Sequence, residues 1–366
     1  MKKIIFILSV AILIYVGYVF VFVGKGEPAI RPHEGKVTDP ILLPAIIKFA
    51  NAVDAKPNQP KPRMELGMTY EGAGLNELAE RTYKQYSEQF PERVIGWYRM
   101  AIVQERQGEI NKAIQSLERA AEVAGEKMDS PHWQLAFWYI DEGNYEEAAK
   151  QVALAESKKP NTMQVKIVKG RIALAEGNPE LAIEILNDTR LIAQVPDGYV
   201  YQLLGRAYRS AGNEEKSREA WSRAGQTKPK WADPWTNIVV QHVVGLNAMR
   251  QEIMKYTRAN NTRMVRKLID EYFTYDKENR VVRRLDASCT AMEGEVGLAL
   301  NKFAKLVAED ETDIASMVLL AKLRMRIPKL QTLEEKEVTK EILSAVLEIS
   351  PDHPQAKILL ESLQKE

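Results

Sequence analysis

Cysteine and histidine are scarce in this sequence. Among its 366 residues the single cysteine is Cys289, and the four histidines are His33, His132, His242 and His353. A lone cysteine excludes an intrachain disulfide framework, a cysteine-rich zinc site and an iron–sulfur cluster. Because the histidines also lack the spacing of metal ligands, we expect no metal and no cofactor.

A surplus of one charge sign is also missing. The 51 lysines and arginines are balanced by 50 aspartates and glutamates, which leaves a formal net charge of +1. This balance gives no reason to expect nucleic acid as a partner. The stretch 250–284 is modestly basic with interleaved tyrosines, and we expect an ordinary mixed-charge helical surface there. Docking of an acidic partner or of lipid headgroups is the alternative.

Recognised catalytic motifs are absent as well. The sequence contains no Gly-x-Ser-x-Gly elbow, no Walker loop, no dinucleotide-binding glycine fingerprint and no His-Glu-x-x-His pair. We expect Cys289 to be a small buried hydrophobe, because a nucleophile would need a base nearby. The sequence therefore predicts a protein that is not an enzyme. The alternative is an enzyme or regulator of envelope polymer synthesis with an unrecognised site within 232–330.

A long apolar run lies at the start of the chain. From Ile4 to Val23, twenty residues carry no charge, which matches the ~20 residues that a helix needs to cross a bilayer. The run is longer than the apolar part of a secretory signal and continues into Gly24-Lys25, so we favour an uncleaved anchor over a cleaved signal. Lys2 and Lys3 directly precede the run, which predicts a cytoplasmic amino terminus and a periplasmic or otherwise extracytoplasmic location for the bulk of the chain.

Beyond residue 59 the sequence repeats itself. Frames begin at Pro60, Val94, Asp129, Met163, Gly198 and Ala232, in steps of 34 or 35 residues. In each frame large residues recur at three- and four-residue intervals, the pattern of two amphipathic helices, and a glycine ends the first helix. Because one helix pair cannot cover its own apolar face, neighbouring pairs are predicted to stack into a solenoid.

The first frame carries residues that are typical of a known repeat. These are Leu66-Gly67, Tyr70, Gly74, Ala79, Tyr83 and Pro91. Together with their counterparts in the next four frames, they make the chain from Pro60 to Lys230 resemble the tetratricopeptide repeat family. The resemblance implies an all-α fold in which the N-terminal transmembrane helix is followed by an α-solenoid, a right-handed superhelix of helix-turn-helix repeats.

These patterns divide the chain into five segments. Residues 1–24 are predicted to form the transmembrane anchor, 25–59 a linker with a half-repeat helix, and 60–231 five repeats. The family's hallmarks weaken after Trp235, so we expect a degenerate repeat with inserted helices in 232–279 and repeat-like pairs with a C-terminal capping helix in 280–366. Ala79, Ala113 and Ala148 are expected at close contacts between helices.

The resemblance also implies a ligand-binding face. In the family, residues of each first helix line the inner, concave face of the superhelix. The corresponding residues here are Tyr98, Ile102, Trp133, Phe137, Arg171, Arg206 and Arg209. Aromatic residues and arginine dominate binding energy at protein interfaces, so this face is predicted to be a groove for a protein segment with apolar and acidic residues. The alternative is that Trp133 and Phe137 pack against neighbouring helices.

These expectations combine into one predicted function. The chain is expected to be a membrane-anchored scaffold that binds protein partners through its concave groove. This architecture favours a role in assembling or organising a complex of the cell envelope or membrane. The lysine/asparagine clamp with which some members of the family hold a terminal carboxylate is not matched, so capture of a chaperone tail is not expected.

Overall fold

The computed structural model describes residues 26–188, 198–225, 229 and 233–365. Regular secondary structure in these residues is entirely helical. Within them, no helix combines the length and the apolar character that crossing a membrane would require. The predicted span from Ile4 to Val23 lies outside the described residues. In the described part of the chain there are two compact units, one formed by 26–38 and 42–243 and the other by 39–41 and 244–365.

The first unit consists of helices joined by short turns. They are α1 (Leu42–Ala55), α2 (Pro60–Gly72), α3 (Asn76–Gln89), α4 (Val94–Arg106), α5 (Ile110–Glu122), α6 (Ser130–Asp141), α7 (Tyr145–Lys158), α8 (Met163–Ala175), α9 (Pro179–Leu186), α10 (Gly198–Ser210), α11 (Glu214–Arg223) and α12 (Thr236–Val240). Helices α2 to α11 form five consecutive antiparallel pairs whose starts lie within one residue of the predicted frames. Each of the five predicted frames therefore begins one helix pair.

Small residues allow the two helices of each pair to approach closely. A Cβ added to Gly205 would lie 2.8 Å from the indole nitrogen of Trp221, which belongs to the other helix of that pair. Ala79, Ala113 and Ala148 are fully buried at the positions where close contacts are predicted. The turn between the helices of the fifth pair has Gly212 at φ 75°, a backbone conformation that favours glycine.

A segment before the first helix is held against the first repeat. The backbone carbonyl of Ile30 accepts a hydrogen bond of 2.7 Å from the hydroxyl of Tyr70, and that of Glu27 accepts one of 2.6 Å from the guanidinium of Arg63. Arg31 pairs with Asp54 of α1 at 2.6 Å. Residues 27 to 31 of the predicted linker are therefore held against the first repeat and α1.

The second unit is also built from helix pairs. Its helices are α13 (Leu246–Arg258), α14 (Thr262–Tyr272), α15 (Arg280–Met292), α16 (Val296–Glu309), α17 (Ile314–Met325), α18 (Leu333–Ile349) and α19 (Pro354–Lys365), with a short 3-10 helix at Pro328–Leu330. The frames predicted at Arg280 and Ile314 both begin a helix. The insertion predicted around 327–333 contains the 3-10 helix.

The degenerate region has a different repeat start from the one that the sequence frame indicates. The frame carried on from Gly198 places a repeat start at Ala232, whereas the structure begins a helix pair at Leu246, 34 residues before Arg280. In that pair the turn residue is Asn260, at φ 54°. Asparagine tolerates this left-handed conformation, so the turn forms without the glycine that marks the other frames. The residues before Leu246 are additional to the repeats.

Candidate functional site

The inner surface of the first unit is formed by the first helix of each pair. Successive first helices contact one another, α6 with α8 and α8 with α10. Residues at corresponding positions of these helices therefore lie side by side along one surface. This is the face on which the concave groove is predicted.

The predicted aromatic residues of the groove are buried. Tyr98 is fully buried, and Trp133 and Phe137 are 2 % and 7 % exposed. Phe137 lies 6.3 Å from the ring of Tyr199, measured between centroids. All four belong to one apolar cluster that also contains residues of the second helices. In the structure, Trp133 and Phe137 pack against neighbouring helices. This is the alternative that the sequence leaves open.

The predicted arginines have two different environments. The guanidinium of Arg171 lies 4.3 Å from the ring centroid of Phe137 and donates a hydrogen bond of 2.5 Å to Asp141. Arg206 and Arg209 are exposed. Ile102 is half-buried beside the apolar cluster. The exposed cationic part of the predicted groove is thus at its fifth repeat.

A buried ionic network on α2, α3 and α4 is not predicted by the sequence analysis. Glu71 has a fully buried side chain, and its carboxylate accepts hydrogen bonds from the hydroxyl of Tyr83 at 2.8 Å and from Nε of Arg99 at 3.0 Å. A second guanidinium nitrogen of Arg99 also donates to Glu71. Arg106, whose side chain is 44 % exposed, pairs with the same carboxylate at 3.0 Å. Two arginines therefore converge on one buried carboxylate.

The protonation states of this network follow from burial and charge. Burial raises the pKa of the Tyr83 hydroxyl well above its usual range, and the neighbouring Glu71 carboxylate raises it further. Burial alone would lower the pKa of Arg99, but the charges of Glu71 and Asp233 and the hydrogen bonds to Glu71 outweigh it and raise that pKa. The hydroxyl of Tyr83 therefore stays neutral and the guanidinium of Arg99 stays charged.

A segment of the same chain lies on this network. Asp233 pairs with Arg99 at 2.7 Å, and the ring of Trp235 lies 4.9 Å from the ring of Tyr98, measured between centroids. Farther along, a Cβ added to Gly72 would lie 3.0 Å from a methyl group of Val243. We call residues 233–243 the groove segment. It crosses the inner surface of the first two repeats from α4 to α2.

A signal for this arrangement is present in the sequence. The network residues Glu71 and Arg99 stand at frame positions that carry leucine in two other repeats, Leu174 and Leu203. A charged residue at a position that is apolar in some repeats favours a paired charge there. The partner residue Asp233 could not be identified in this way, because the segment that carries it follows no repeat pattern.

Several basic residues of the stretch 250–284 in the second unit are paired with acidic residues. Arg283 makes two hydrogen bonds of 2.7 Å to the carboxylate of Glu309, and Arg280 pairs with Asp313 at 2.8 Å. Arg266 pairs with Asp286 of α15 and with Glu293 directly after that helix. These contacts neutralise part of the local positive charge.

Cys289 is fully buried in an apolar cluster of the second unit. Burial raises the pKa of its thiol to about 11, so the thiol is protonated at neutral pH and is a poor nucleophile. Its expected role as a small buried hydrophobe is confirmed. Among the described residues no three His, Cys, Asp or Glu side chains are arranged to hold a metal ion.

Comparison with known proteins identifies the repeats. The profile of the tetratricopeptide repeat family matches residues 64–131, which span most of the first two helix pairs. Residues 64–131 are thus tetratricopeptide repeats. The search of curated proteins gives no match.

Several solved structures are similar in fold. A tetratricopeptide repeat protein from Parabacteroides merdae is 15% identical, with a TM-score of 0.41 and coverage of 92% of this chain and 97% of that one. YrrB, a tetratricopeptide repeat protein with an unusual peptide-binding site, is 16% identical, with a TM-score of 0.40 and coverage of 49% of this chain and 91% of its own. MamA is 19% identical, with a TM-score of 0.39 and coverage of 45% and 88%.

Proposed function

We propose that this protein is a non-catalytic scaffold that binds segments of partner proteins on the inner surface of its repeats. A solenoid of this kind presents a long surface built from side chains of successive first helices. The arginines of the fifth repeat, Arg206 and Arg209, are exposed, and they stand at frame positions that line the inner face in the tetratricopeptide repeat family. They favour a partner segment that carries acidic residues, because paired charges steer association and select the partner.

The observation that carries this proposal is the groove segment itself. The inner surface of the first two repeats holds eleven consecutive residues of its own chain through one ion pair and one aromatic contact. An acidic side chain and an aromatic side chain close to it are the features that a partner segment would need. The surface is therefore suited to peptide recognition by its own chemistry.

We further propose that the protein is anchored in a membrane and organises a complex of the cell envelope. The support is the uncharged run of twenty residues from Ile4 to Val23, together with Lys2 and Lys3 directly before it. Protease added to intact spheroplasts should then degrade the repeats. Protection in intact spheroplasts, with degradation only after lysis, would place the repeats in the cytoplasm.

The binding proposal can be tested by affinity capture from native membranes with quantitative mass spectrometry. The double variant Arg206→Glu/Arg209→Glu reverses two charges on the inner surface and should lose an acidic partner. The matched control is Arg218→Glu/Arg223→Glu, which makes the same charge change on α11, the second helix of the same repeat. Equal capture by both variants and the parent protein would contradict binding at this surface.

A further inference from the structure

The groove segment fills a site whose charge is balanced only while the segment is present. Among the described residues, the ionic partners of Arg99 and Arg106 are Glu71 and Asp233. The formal charges of these two arginines and two carboxylates sum to zero. If Asp233 leaves, two cations remain with one carboxylate, and Arg99 is 1 % exposed. A buried cation without a full partner is strongly unfavourable, so the vacated site would attract another carboxylate.

The aromatic contact defines a second requirement of the site. Tyr98 is fully buried, and its ring is in contact with Trp235, two residues after the acid. Withdrawal of Trp235 would expose the Tyr98 ring at the floor of the groove. A replacement segment would therefore need an aromatic residue at the same spacing from its acid, because the positions of Arg99 and Tyr98 on α4 are fixed by the helix.

The groove segment has few stabilising contacts of its own. Its helix α12 has five residues, which is too short to be stable alone in water. Val239 is buried, but Ile238, Val240 and Val243 are 42 %, 60 % and 38 % exposed. The ring of His242 lies 5.9 Å from the ring of Phe49 of α1, measured between centroids. The segment thus depends on the ion pair of Asp233, the ring contacts of Trp235 and His242 and a limited apolar contact.

We infer that the groove segment is an internal ligand that closes this part of the groove until a partner segment of the same chemistry displaces it. The partner segment would carry an acidic residue, an aromatic residue two positions later, and apolar residues after that. This inference rests on the proposed function, and it adds the specificity and the regulation of the site. Displacement exchanges one carboxylate for another at Arg99, so the net charge of the network is zero both before and after the exchange.

A disulfide offers a reversible lock for the test. A Cβ at Gly72 would lie 3.2 Å from the Cα of Val243, so the pair Gly72→Cys/Val243→Cys lies within the reach of a disulfide. Oxidation fixes the groove segment in place, and reduction releases it in the same protein. The buried Cys289 takes no part. Gly72→Cys alone, treated with the same oxidant, is the control.

The probe is a fluorescein-labelled peptide with the chain's own residues 233–243, capped at both ends. The tethered segment competes at an effective concentration of roughly millimolar, so the parent protein should bind the probe weakly. The variant Asp233→Asn/Trp235→Ala weakens this competitor and should bind the probe at least about tenfold more tightly. A control peptide with the same two substitutions should lose the binding.

The disulfide should have the opposite effect on probe binding. Oxidised Gly72→Cys/Val243→Cys should bind the probe at least about tenfold more weakly than the reduced form, with circular dichroism showing that both are folded. Equal binding by the two forms, or no binding by any folded form, would overturn the inference. If Asp233→Asn/Trp235→Ala does not fold, the difference in probe binding between the oxidised and reduced forms of Gly72→Cys/Val243→Cys still tests the inference.

Failure here can be distinguished from failure of the proposed function. Capture of a partner through Arg206 and Arg209 does not involve the groove segment. If that capture depends on these arginines while the probe never binds, the scaffold function stands and the internal ligand is simply a part of the fold. If the probe binds and capture of the partner does not depend on Arg206 and Arg209, the peptide site is confined to the first two repeats.

Discussion

The first two repeats differ from the third and fourth in the chemistry at two positions of the same frame. The twelfth frame position is Glu71 in the first repeat and Ile140 in the third; the sixth is Arg99 in the second repeat and Val168 in the fourth. In the first two repeats these side chains form a buried ionic network under the groove segment. Ile140 and Val168 are apolar and belong to a continuous core.

This difference shows that one backbone supports two kinds of inner surface. Apolar side chains between successive first helices draw those helices together, and aromatic residues such as Trp133 then become part of the core. A buried ionic network needs a complete set of partners, which here includes Asp233 from outside the repeats. A single repeat sequence pattern therefore does not determine whether an inner surface binds a segment or packs on itself.

The largest expected effect tests the packed part of the comparison. Trp133→Ala should lower the free energy of unfolding by about 3–5 kcal/mol, because it removes a buried aromatic side chain and leaves a cavity. Arg206→Ala, on the same inner surface but exposed, should change it by less than about 0.5 kcal/mol. Urea denaturation measures both. Similar values for the two variants would show that Trp133 is a surface residue and that the packed interpretation of the later repeats is wrong.

The next effect tests the ionic part. Glu71→Gln removes the carboxylate that two arginines share, and we expect a loss of about 3 kcal/mol in stability, because it leaves buried charge without a partner. The matched variant is Asp141→Asn in the third repeat. Its carboxylate also pairs with an arginine, but it is 49 % exposed, so the loss should be at most about 1 kcal/mol. Equal losses would mean that burial does not distinguish the two inner surfaces.

A smaller effect tests the repeat geometry that both regions share. Ala148→Leu forces a larger side chain into a fully buried contact between helices, which typically costs about 1–3 kcal/mol. Ala149→Leu places the same side chain one residue later, at an exposed position, and should leave the melting temperature nearly unchanged. If the two variants melt at the same temperature, the assigned repeat frame is wrong at this repeat.

The smallest effect concerns pH and a histidine of the third repeat. Burial lowers the pKa of His132 below its usual 6.5, although its hydrogen bond with Gln151 opposes this. The unfolded chain then takes up a proton at higher pH than the folded protein does. The contribution of His132 to stability is therefore complete above pH 6.5 and is lost as pH falls below that value. His132→Gln should remove this dependence, and parallel stability curves for the two proteins between pH 7.5 and 5.5 would contradict it.

The sequence predicts the repeats far better than it predicts the groove. Glycines and alanines at fixed spacings suffice to locate five helix pairs, because helix contacts and turns place local demands on residue type. The start of the pair at Leu246 is missed because Asn260 replaces the expected glycine and the residues before Leu246 shift the frame. The contact between Asp233 and Arg99 spans 134 residues, and no local pattern encodes a contact at that distance.

The most direct test of partner binding on the inner surface is site-specific photocross-linking in native membranes. Positions 206 and 209 are exposed on α10, a first helix, and are proposed to face the inner surface, whereas position 154 is exposed on α7, a second helix. We expect the captured partner to cross-link from positions 206 and 209 and not from position 154. Cross-linking from position 154, with none from the two inner positions, would contradict the account.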